Sequence, residues 1–210
     1  MRDLSDCRLY GFIDLNYIEP GQAEHITQLM VEGGVDIVQL RAKNASLREV
    51  VDLAGRLHTI TARAGTPLIV NDHAEVAAHV AVEGVHVGQD DDSVAKARKK
   101  ADRKILVGKS THSLEQATAA GQEGADYIGF GPIFATPTKP DYKPIGTDSI
   151  KSAHEQVRVP IFCIGGIKIE NIGGVIAAGA QRVAIVSGLL RAQDIAKYAR
   201  ACKTLLQPET

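Results

Sequence analysis

Short apolar runs rich in β-branched residues alternate along the chain with longer stretches whose apolar positions recur with a helical period. The apolar runs predict strands at Leu9–Asp14, Val35–Leu40, Pro67–Asn71, Val85–Val87, Ile105–Gly108, Tyr127–Phe130, Pro160–Ile164 and Arg182–Val186. The longer stretches predict helices at Ala23–Glu32, Leu47–Ala64, Ala74–Val82, Ser93–Lys100, Leu114–Glu123, Thr147–Gln156, Glu170–Ala178 and Ala192–Leu206.

Eight strands, each followed by a helix, is the count of a closed (β/α)8 TIM barrel. The strands are apolar on both faces, as parallel strands covered by helices are. An open doubly wound sheet is the alternative α/β fold. No linker or low-complexity segment divides the chain, so we expect residues 1–210 to form a single domain. Barrel enzymes place their chemistry at the C-terminal ends of the strands, which directs attention to the residues after each strand.

Composition excludes several classes of partner. The formal net charge is −1 and no basic face is visible, so nucleic acid is not an expected partner. No apolar run approaches the roughly 18–20 residues that span a bilayer, and the N-terminus lacks the apolar core of a secretory signal. Three widely spaced cysteines without a CxxC motif fit a reducing compartment, so we expect a cytoplasmic protein that acts on small molecules.

Basic and amide side chains end the second predicted strand, at Gln39, Arg41 and Lys43. Strand alternation points Gln39 and Arg41 the same way, with Lys43 at the rim. Two nearby cations favour a phosphate or diphosphate ligand, which Arg binds through paired hydrogen bonds and Lys as a point charge. Salt bridges to neighbouring carboxylates are the alternative.

Carboxylates follow the next two strands. Asn71 and Asp72 come after the third strand, and Asp91 comes after the fourth. Oxygen ligands on neighbouring strands suit Mg²⁺, which is often shared with substrate phosphates. As an alternative, Asp72 or Asp91 caps the following helix. The histidines form no zinc-like cluster in the sequence.

Hydroxyls follow the fifth and sixth strands. Ser110 is placed to donate to a phosphate oxygen, and His112 is either an acid–base group or an exposed loop histidine. The proline-rich loop after the sixth strand adds Thr136, Thr138 and Lys139. Its prolines restrict the unbound conformations, so the loop is partly pre-organised for binding.

Glycine turns follow the last two strands, with Gly166 after the seventh and Val186 and Ser187 after the eighth. Loops at these positions form the recurrent phosphate site of TIM barrels, although tight turns alone also explain the glycines. Two anion sites at one rim, without an activated nucleophile motif, indicate group transfer with diphosphate as the leaving group.

Seven segments, in chain order, resemble the thiamine-phosphate synthase family: "VQLRAK", "IVNDH", "GVHVGQDD", "GKSTHS", "YIGFGPIFATPTKP", "IGGI" and "VSGLL". The resemblance extends from about Leu9 to Leu190. It implies a TIM barrel that joins a pyrimidinylmethyl diphosphate to a thiazole phosphate with Mg²⁺, giving thiamine phosphate and diphosphate.

The resemblance also implies a role for each matching position. Asp72 and Asp91 would bind Mg²⁺, and Arg41, Lys43 and Lys139 would stabilise the departing diphosphate. The pyrimidine substrate would contact Gln39, Arg41, Lys43, Asn71, Ser110 and Lys139. The thiazole phosphate would contact Thr136, Thr138, Gly166, Val186 and Ser187.

Two positions depart from the family pattern. Ile13-Asp14 stands where a Thr-Asp pair is usual, and His73 stands where Arg is common. The role of His86 is left open. Two other activities remain as alternatives: the thiazole tautomerase branch, whose histidine falls at the position of Pro132, and a non-catalytic binder of a phosphorylated ligand.

Overall fold

The computed structural model describes residues 3–138 and 142–207. Its parallel strands close into a barrel in chain order: β1 (Leu9–Asp14), β2 (Ile37–Arg41), β3 (Leu68–Asn71), β4 (Gly84–Val87), β5 (Leu106–Thr111), β6 (Tyr127–Phe130), β7 (Ile161–Ile164) and β8 (Val183–Ile185). The helices around it are α1 (Ala23–Glu32), α2 (Leu47–Arg63), α3 (Val94–Ala101), α4 (Leu114–Gln122), α5 (Ile150–Gln156), α6 (Ile172–Ala177), α7 (Ser187–Leu190) and α8 (Ile195–Leu205).

Closure of the barrel decides between the two α/β folds that the pattern allowed. β1 pairs in parallel with β8 as well as with β2, and Leu9 lies opposite Val183 in that register. An open sheet would leave both edges unpaired. The predicted (β/α)8 barrel is therefore confirmed. Among the described residues, none of the helices combines the length and apolar character that crossing a membrane requires.

The segment after β3 differs from its prediction. A 3-10 helix at Ala74–Ala78 stands where an α-helix was expected over Ala74–Val82. The connection to β4 is short, and the return to the barrel begins where Glu83 N–H donates to Leu68 O at 3.0 Å. The Glu83 carboxylate also accepts from Leu68 N–H at 2.8 Å. These bonds fix the chain too early for the helix to continue.

Two further boundaries differ near the mouth of the barrel. β5 continues to Thr111, because Ser110 and Thr111 pair with Gly129 and Phe130 of β6. Ser110 therefore lies in a strand and not in the following loop. After β8 the short helix α7 precedes α8, which begins after Asp194, whose side chain accepts from Lys197 N–H at 2.8 Å. The sequence pattern did not predict α7.

Strand alternation divides the core into two layers. Inward-facing positions form a cluster inside the barrel that includes Tyr10, Phe12, Tyr127 and Phe162. Outward-facing positions pack against the helices in the larger cluster. The inner aromatic rings fit because glycine lies beside them: a Cβ at Gly108 would stand 2.1 Å from Cζ of Tyr127.

We predict that Gly108→Ala destabilises the fold by about 1–3 kcal/mol, since the added methyl overlaps a buried ring. The matched control is Gly121→Ala in α4, where a Cβ meets no atom within 4 Å. Alanine there should stabilise by about 0.5–1 kcal/mol, because glycine is unfavourable within a helix. Urea unfolding of both variants measures the difference. Equal stability of the two variants would contradict a tightly filled interior.

Candidate active site

A pocket opens at the C-terminal mouth of the barrel, above the inner aromatic cluster. Its lining brings together predicted substrate residues from six strands or their loops: Gln39, Arg41, Asn71, Ser110, Thr136, Thr138, Gly166, Val186 and Ser187. Lys43, Asp72 and Asp91 are not part of this lining. Lys139 lies outside the described residues.

The floor of the pocket is made of aromatic rings. Tyr10 stacks on Phe12, with ring centroids 5.1 Å apart, and meets Phe162 edge-on at 5.3 Å. Tyr127 also meets Phe162 edge-on, at 5.7 Å. Burial raises the pKa of both tyrosines, so their hydroxyls stay protonated at neutral pH. The floor thus combines apolar ring faces with neutral hydroxyl groups.

Polar side chains at the floor form a continuous series of hydrogen bonds. Gln39 Nε2 donates to the Tyr10 hydroxyl at 2.7 Å, which lies 3.0 Å from the Tyr127 hydroxyl. The Tyr127 hydroxyl is 3.2 Å from His86 Nδ1, and His86 Nε2 is 3.0 Å from Ser110 Oγ. Two predicted substrate residues, Gln39 and Ser110, are therefore connected through three side chains to which the sequence assigned no role.

Arg41 is held by a buried carboxylate. Its Nη1 donates to both oxygens of Asp14, at 3.1 and 2.9 Å, and Asp14 is only 1% exposed. The register that pairs Asp14 with Arg41 across β1 and β2 makes this contact. Arg41 therefore forms the salt bridge that the sequence allowed, and its binding of a phosphate stays a prediction. Within the described part of the chain, its Nε and Nη2 make no hydrogen bond and remain as donors.

Ile13 and Asp14, the pair that departs from the family pattern, have different structural roles. Asp14 holds Arg41, whereas Ile13 is fully buried in the outer layer between strands and helices. Ile13 is not among the residues that line the pocket. The departure from the family pattern at this position therefore lies in the packing layer.

Two carboxylates and one ammonium meet at the rim. Lys43 Nζ lies 3.1 Å from Asp72 Oδ2. Burial raises the pKa of Asp72, and the neighbouring carboxylate of Asp91 raises it further, while Lys43 opposes both effects. Burial is the larger cause and the Asp91 carboxylate adds to it, so the charged form of Asp72 is disfavoured despite the ammonium.

The helix-cap alternative for these carboxylates is wrong. Ser93 caps α3 by accepting from Lys96 N–H, while Asp91 Oδ2 accepts from Gly88 N–H at 2.8 Å. Asp72 has φ +65°, a left-handed conformation that aspartate tolerates better than most residues. Its backbone N–H donates to His86 O at 2.9 Å, which ties the turn to β4.

The described residues contain no group of three or more His, Cys, Asp or Glu side chains arranged to hold a metal ion. Asp72 and Asp91 are a pair. A pair of carboxylates leaves most coordination positions to water or substrate oxygens, which is the usual arrangement for Mg²⁺ and an unusual one for structural zinc.

The loop after β6 is held by contacts from other loops. The Thr138 hydroxyl lies 2.7 Å from the Tyr17 hydroxyl, and Thr138 N–H donates to Thr136 Oγ1 at 3.3 Å. The Arg191 guanidinium lies 5.2 Å from the centre of the Tyr17 ring. Thr136 and Thr138 therefore line the pocket from a loop that contacts with other loops hold in place.

Close backbone packing explains the glycines after β7. Gly165 O accepts from Phe134 N–H at 2.9 Å, which pins the β6 loop against this turn. Gly166 has φ +67°, and a Cβ there would lie 2.8 Å from Ala135 O. Glycine is needed for both reasons. The turn also lines the pocket beside Ser187, the first residue of α7.

Of the two alternatives for His112, the exposed loop histidine is wrong in its exposure. It is half-buried and lines the pocket. Its Nδ1–H donates to Gly131 O at 2.5 Å, and its ring centre lies 4.1 Å from that of Tyr142. The last residue of β5 places it there, because Thr111 pairs with Phe130.

The sequence and the structure both match known proteins across this site. The family model described as thiamine monophosphate synthase matches residues 9–189. The chain belongs to the thiamine monophosphate synthase family. A thiamine-phosphate synthase from Chloroflexus aurantiacus is 44% identical over 96% of this chain and 93% of its own length. One from Halalkalibacterium halodurans is 38% identical over 97% of each chain.

A solved structure agrees. A thiamine phosphate pyrophosphorylase from Pyrococcus furiosus superposes with a TM-score of 0.88 and 29% identity, covering 97% of this chain and 96% of that one. Family membership makes this chain a relative of transferases of thiamine biosynthesis. The roles of its individual site residues remain predictions.

The residues at the strand ends predict the upper part of the site, and the side chains of its floor were not predicted. Tyr10, Phe12, Tyr127 and Phe162 line the pocket from within the strands. Strand parity was the available signal: Tyr10 and Phe12 share the inward face with Asp14. Extending that parity to all eight strands would have identified the floor.

We predict that Asp72→Asn stabilises the ligand-free protein at pH 7 by about 0.5 kcal/mol, the size of like-charge repulsion at partly exposed sites. Folding raises the pKa of Asp72, so its contribution to stability is full below the unfolded-state pKa and is lost as pH rises through the folded-state pKa. Asparagine also tolerates the positive φ.

The measurement is urea unfolding in EDTA from pH 4 to pH 8. Asp90→Asn is the matched control, because Asp90 is exposed and adjacent in sequence to Asp91. The gain of Asp72→Asn over Asp90→Asn should grow with pH. A gain that is absent at pH 7 would show that Lys43 compensates the pair.

Proposed function

We propose that this protein transfers the 4-amino-2-methylpyrimidin-5-ylmethyl group from its diphosphate to the ring nitrogen of a hydroxyethylthiazole phosphate. The products are thiamine phosphate and diphosphate. The proposal rests on one pocket that is lined by nine of the predicted substrate residues. Among the described residues, Lys43, Asp72 and Asp91 lie outside this lining, and Lys43 pairs with Asp72. Family membership and the printed names of the relatives support the same reaction.

The two sides of the pocket suit two different anions. Arg41 offers its remaining guanidinium donors, and Lys43 adds an ammonium, which suits the more highly charged diphosphate. The turn at Gly166 and the start of α7 at Ser187 offer neutral backbone groups, which suit a monophosphate. This difference favours one orientation for the pair of substrates.

Asp72 and Asp91 suit a divalent ion, because repulsion from the Asp91 carboxylate adds to burial in raising the pKa of Asp72. A cation between them removes that repulsion. Mg²⁺ held by these two residues and by diphosphate oxygens would neutralise negative charge on the leaving group.

The proposed reaction is a dissociative displacement. The methylene C–O bond breaks and its electron pair leaves with the diphosphate, while the aminopyrimidine delocalises the positive charge on the methylene carbon. The lone pair of the thiazole nitrogen then forms the C–N bond. No proton moves, so the protein needs no base for this step.

The residues of this chain act on that reaction in two ways. Arg41, fixed by Asp14, stabilises the charge that grows on the leaving diphosphate without having to reorganise. The apolar rings of Phe12 and Phe162 line the pocket and offer no group that could attack the cationic carbon, so they would limit its capture by water. Lys139 is expected to join Arg41, and this role remains a prediction.

The two alternative activities fit the pocket less well. The tautomerase branch needs a proton-transferring side chain where Pro132 lines this pocket, and proline has none. A simple binder of a phosphorylated ligand has no use for two carboxylates that repel each other at the rim. Only the transferase uses both features.

We predict that the protein releases diphosphate on mixing with both substrates and Mg²⁺, and that EDTA abolishes the release. Asp72→Ala should lower turnover at least about 100-fold, because charge on the leaving group then lacks its counter-ion. Asp90→Ala is the matched control and should remain active, since Asp90 is exposed. Diphosphate release that is insensitive to EDTA, or near-normal activity of Asp72→Ala at saturating Mg²⁺, would contradict the proposal.

We further predict that Lys139→Ala acts mainly on the chemical step. Loss of a cation beside the leaving group should slow single-turnover formation of thiamine phosphate by about 10–100-fold. Rapid-quench measurement with enzyme in excess isolates this step from product release. An unchanged single-turnover rate would remove Lys139 from the proposed role.

A further inference from the structure

We propose that a single directed hydrogen-bond chain crosses the floor of the pocket from Gln39 to Ser110 and fixes His86 as the neutral Nε2–H tautomer. Tyr10, Tyr127 and His86 are then positioning residues, which act on the substrate through Ser110. The direction of each hydrogen bond is argued from the structure without a ligand. The effect on catalysis also rests on the proposed function.

The Gln39 amide sets the donor-to-acceptor direction of the hydrogen-bond chain. Its Nε2 lies 2.7 Å from the Tyr10 hydroxyl, and an amide nitrogen can only donate. The Tyr10 oxygen therefore accepts, and its own hydrogen goes onward to the Tyr127 oxygen at 3.0 Å. Both phenols keep their protons, because burial raises the pKa of each. Each hydroxyl thus accepts one bond and donates the next.

His86 accepts a hydrogen bond at one ring nitrogen and donates the next one from the other. The Tyr127 hydroxyl donates to His86 Nδ1 at 3.2 Å, so Nδ1 carries a lone pair and the ring proton stays on Nε2. Nε2–H then donates to Ser110 Oγ at 3.0 Å. The backbone of Ser110 is fixed as well, since its carbonyl accepts from Gln89 Nε2 at 2.5 Å.

Both ends of the chain present defined groups to the pocket. Ser110 Oγ accepts from His86, so its hydroxyl hydrogen is available for a ligand acceptor. Gln39 directs its nitrogen to Tyr10, so its Oε1 is available for a ligand donor. An aminopyrimidine carries both an N–H donor and ring-nitrogen acceptors. The ordered chain therefore prepares the floor for this class of heterocycle before binding.

The opposite order is a distinct state. If the Gln39 amide were rotated to place Oε1 toward Tyr10, every donor in the chain would become an acceptor. His86 would then carry its proton on Nδ1, and Ser110 would donate to His86. The tautomer of one histidine therefore reports the direction of the whole chain.

The direct test is ¹⁵N NMR of the histidine-labelled, ligand-free protein at pH 8. His86→Gln identifies the His86 signals among those of the seven histidines. The expected result is a pyridine-like Nδ1 and a pyrrole-like Nε2. A pyrrole-like Nδ1, or two protonated nitrogens, would overturn the proposal. This measurement needs no substrate, so it stands apart from any failure of the transferase assay.

A double-mutant cycle tests whether the chain acts through Ser110. Tyr127→Phe should lower kcat/KM about five- to tenfold, the size of one lost hydrogen bond. In a Ser110→Ala background the same change should have little further effect. Tyr10→Phe provides a second cycle if Tyr127→Phe folds poorly.

The control for these cycles is Tyr198→Phe, which removes a hydroxyl that accepts from Ile169 N–H outside the pocket. It should leave kcat/KM unchanged in both backgrounds. Additive effects of Tyr127→Phe and Ser110→Ala would assign Tyr127 a purely structural role and would overturn the proposal. If wild-type protein releases no diphosphate, the proposed function fails, and the NMR result still decides the order of the chain.

Discussion

The close approach of the Tyr127 ring to Gly108 is the contact on which the rest of the site depends. A glycine on β5 lets a large ring from β6 fill the barrel interior, and Tyr10 and Phe162 pack around that ring. These rings lie between the packed interior of the barrel and its open mouth. Because the ring that fills this space is a tyrosine, the same contact also places a hydroxyl between Tyr10 of β1 and His86 of β4.

Charge at the mouth is balanced before any ligand binds. Arg41 is paired with Asp14, so the buried guanidinium is not left as an uncompensated charge. Lys43 pairs with Asp72, which neighbours Asp91, and these three groups carry a net negative charge when all are ionised. A diphosphate approaching these residues gains little from them alone. Under the proposed function, it therefore binds favourably only together with a divalent cation or a further ammonium, which is the place we assign to Lys139.

The hydrophobic periodicity of the sequence predicted the fold more completely than it predicted the site. Eight apolar runs and their intervening helices specified the barrel, because both sheet faces must be covered. The local sequence pattern could not show that the helix after β3 ends early. Hydrogen bonds between Glu83 and Leu68 end it, and these residues are distant in sequence. Nor could the pattern decide between a helix cap and a carboxylate pair for Asp72, because Asp91 approaches it only after β3 and β4 are paired.

The floor and the rim divide the demands of the proposed reaction between two kinds of interaction. Charges at the rim act over several ångströms and tolerate small displacements, whereas hydrogen bonds at the floor depend on which atom carries each proton. Neutral phenols suit the floor because their protons do not leave at physiological pH. Under the proposed function, the order that we assign to Gln39 would therefore persist while anions and a divalent ion exchange at the rim. Orientation of the heterocycle and stabilisation of the leaving group are consequently separable, although both converge on one methylene carbon.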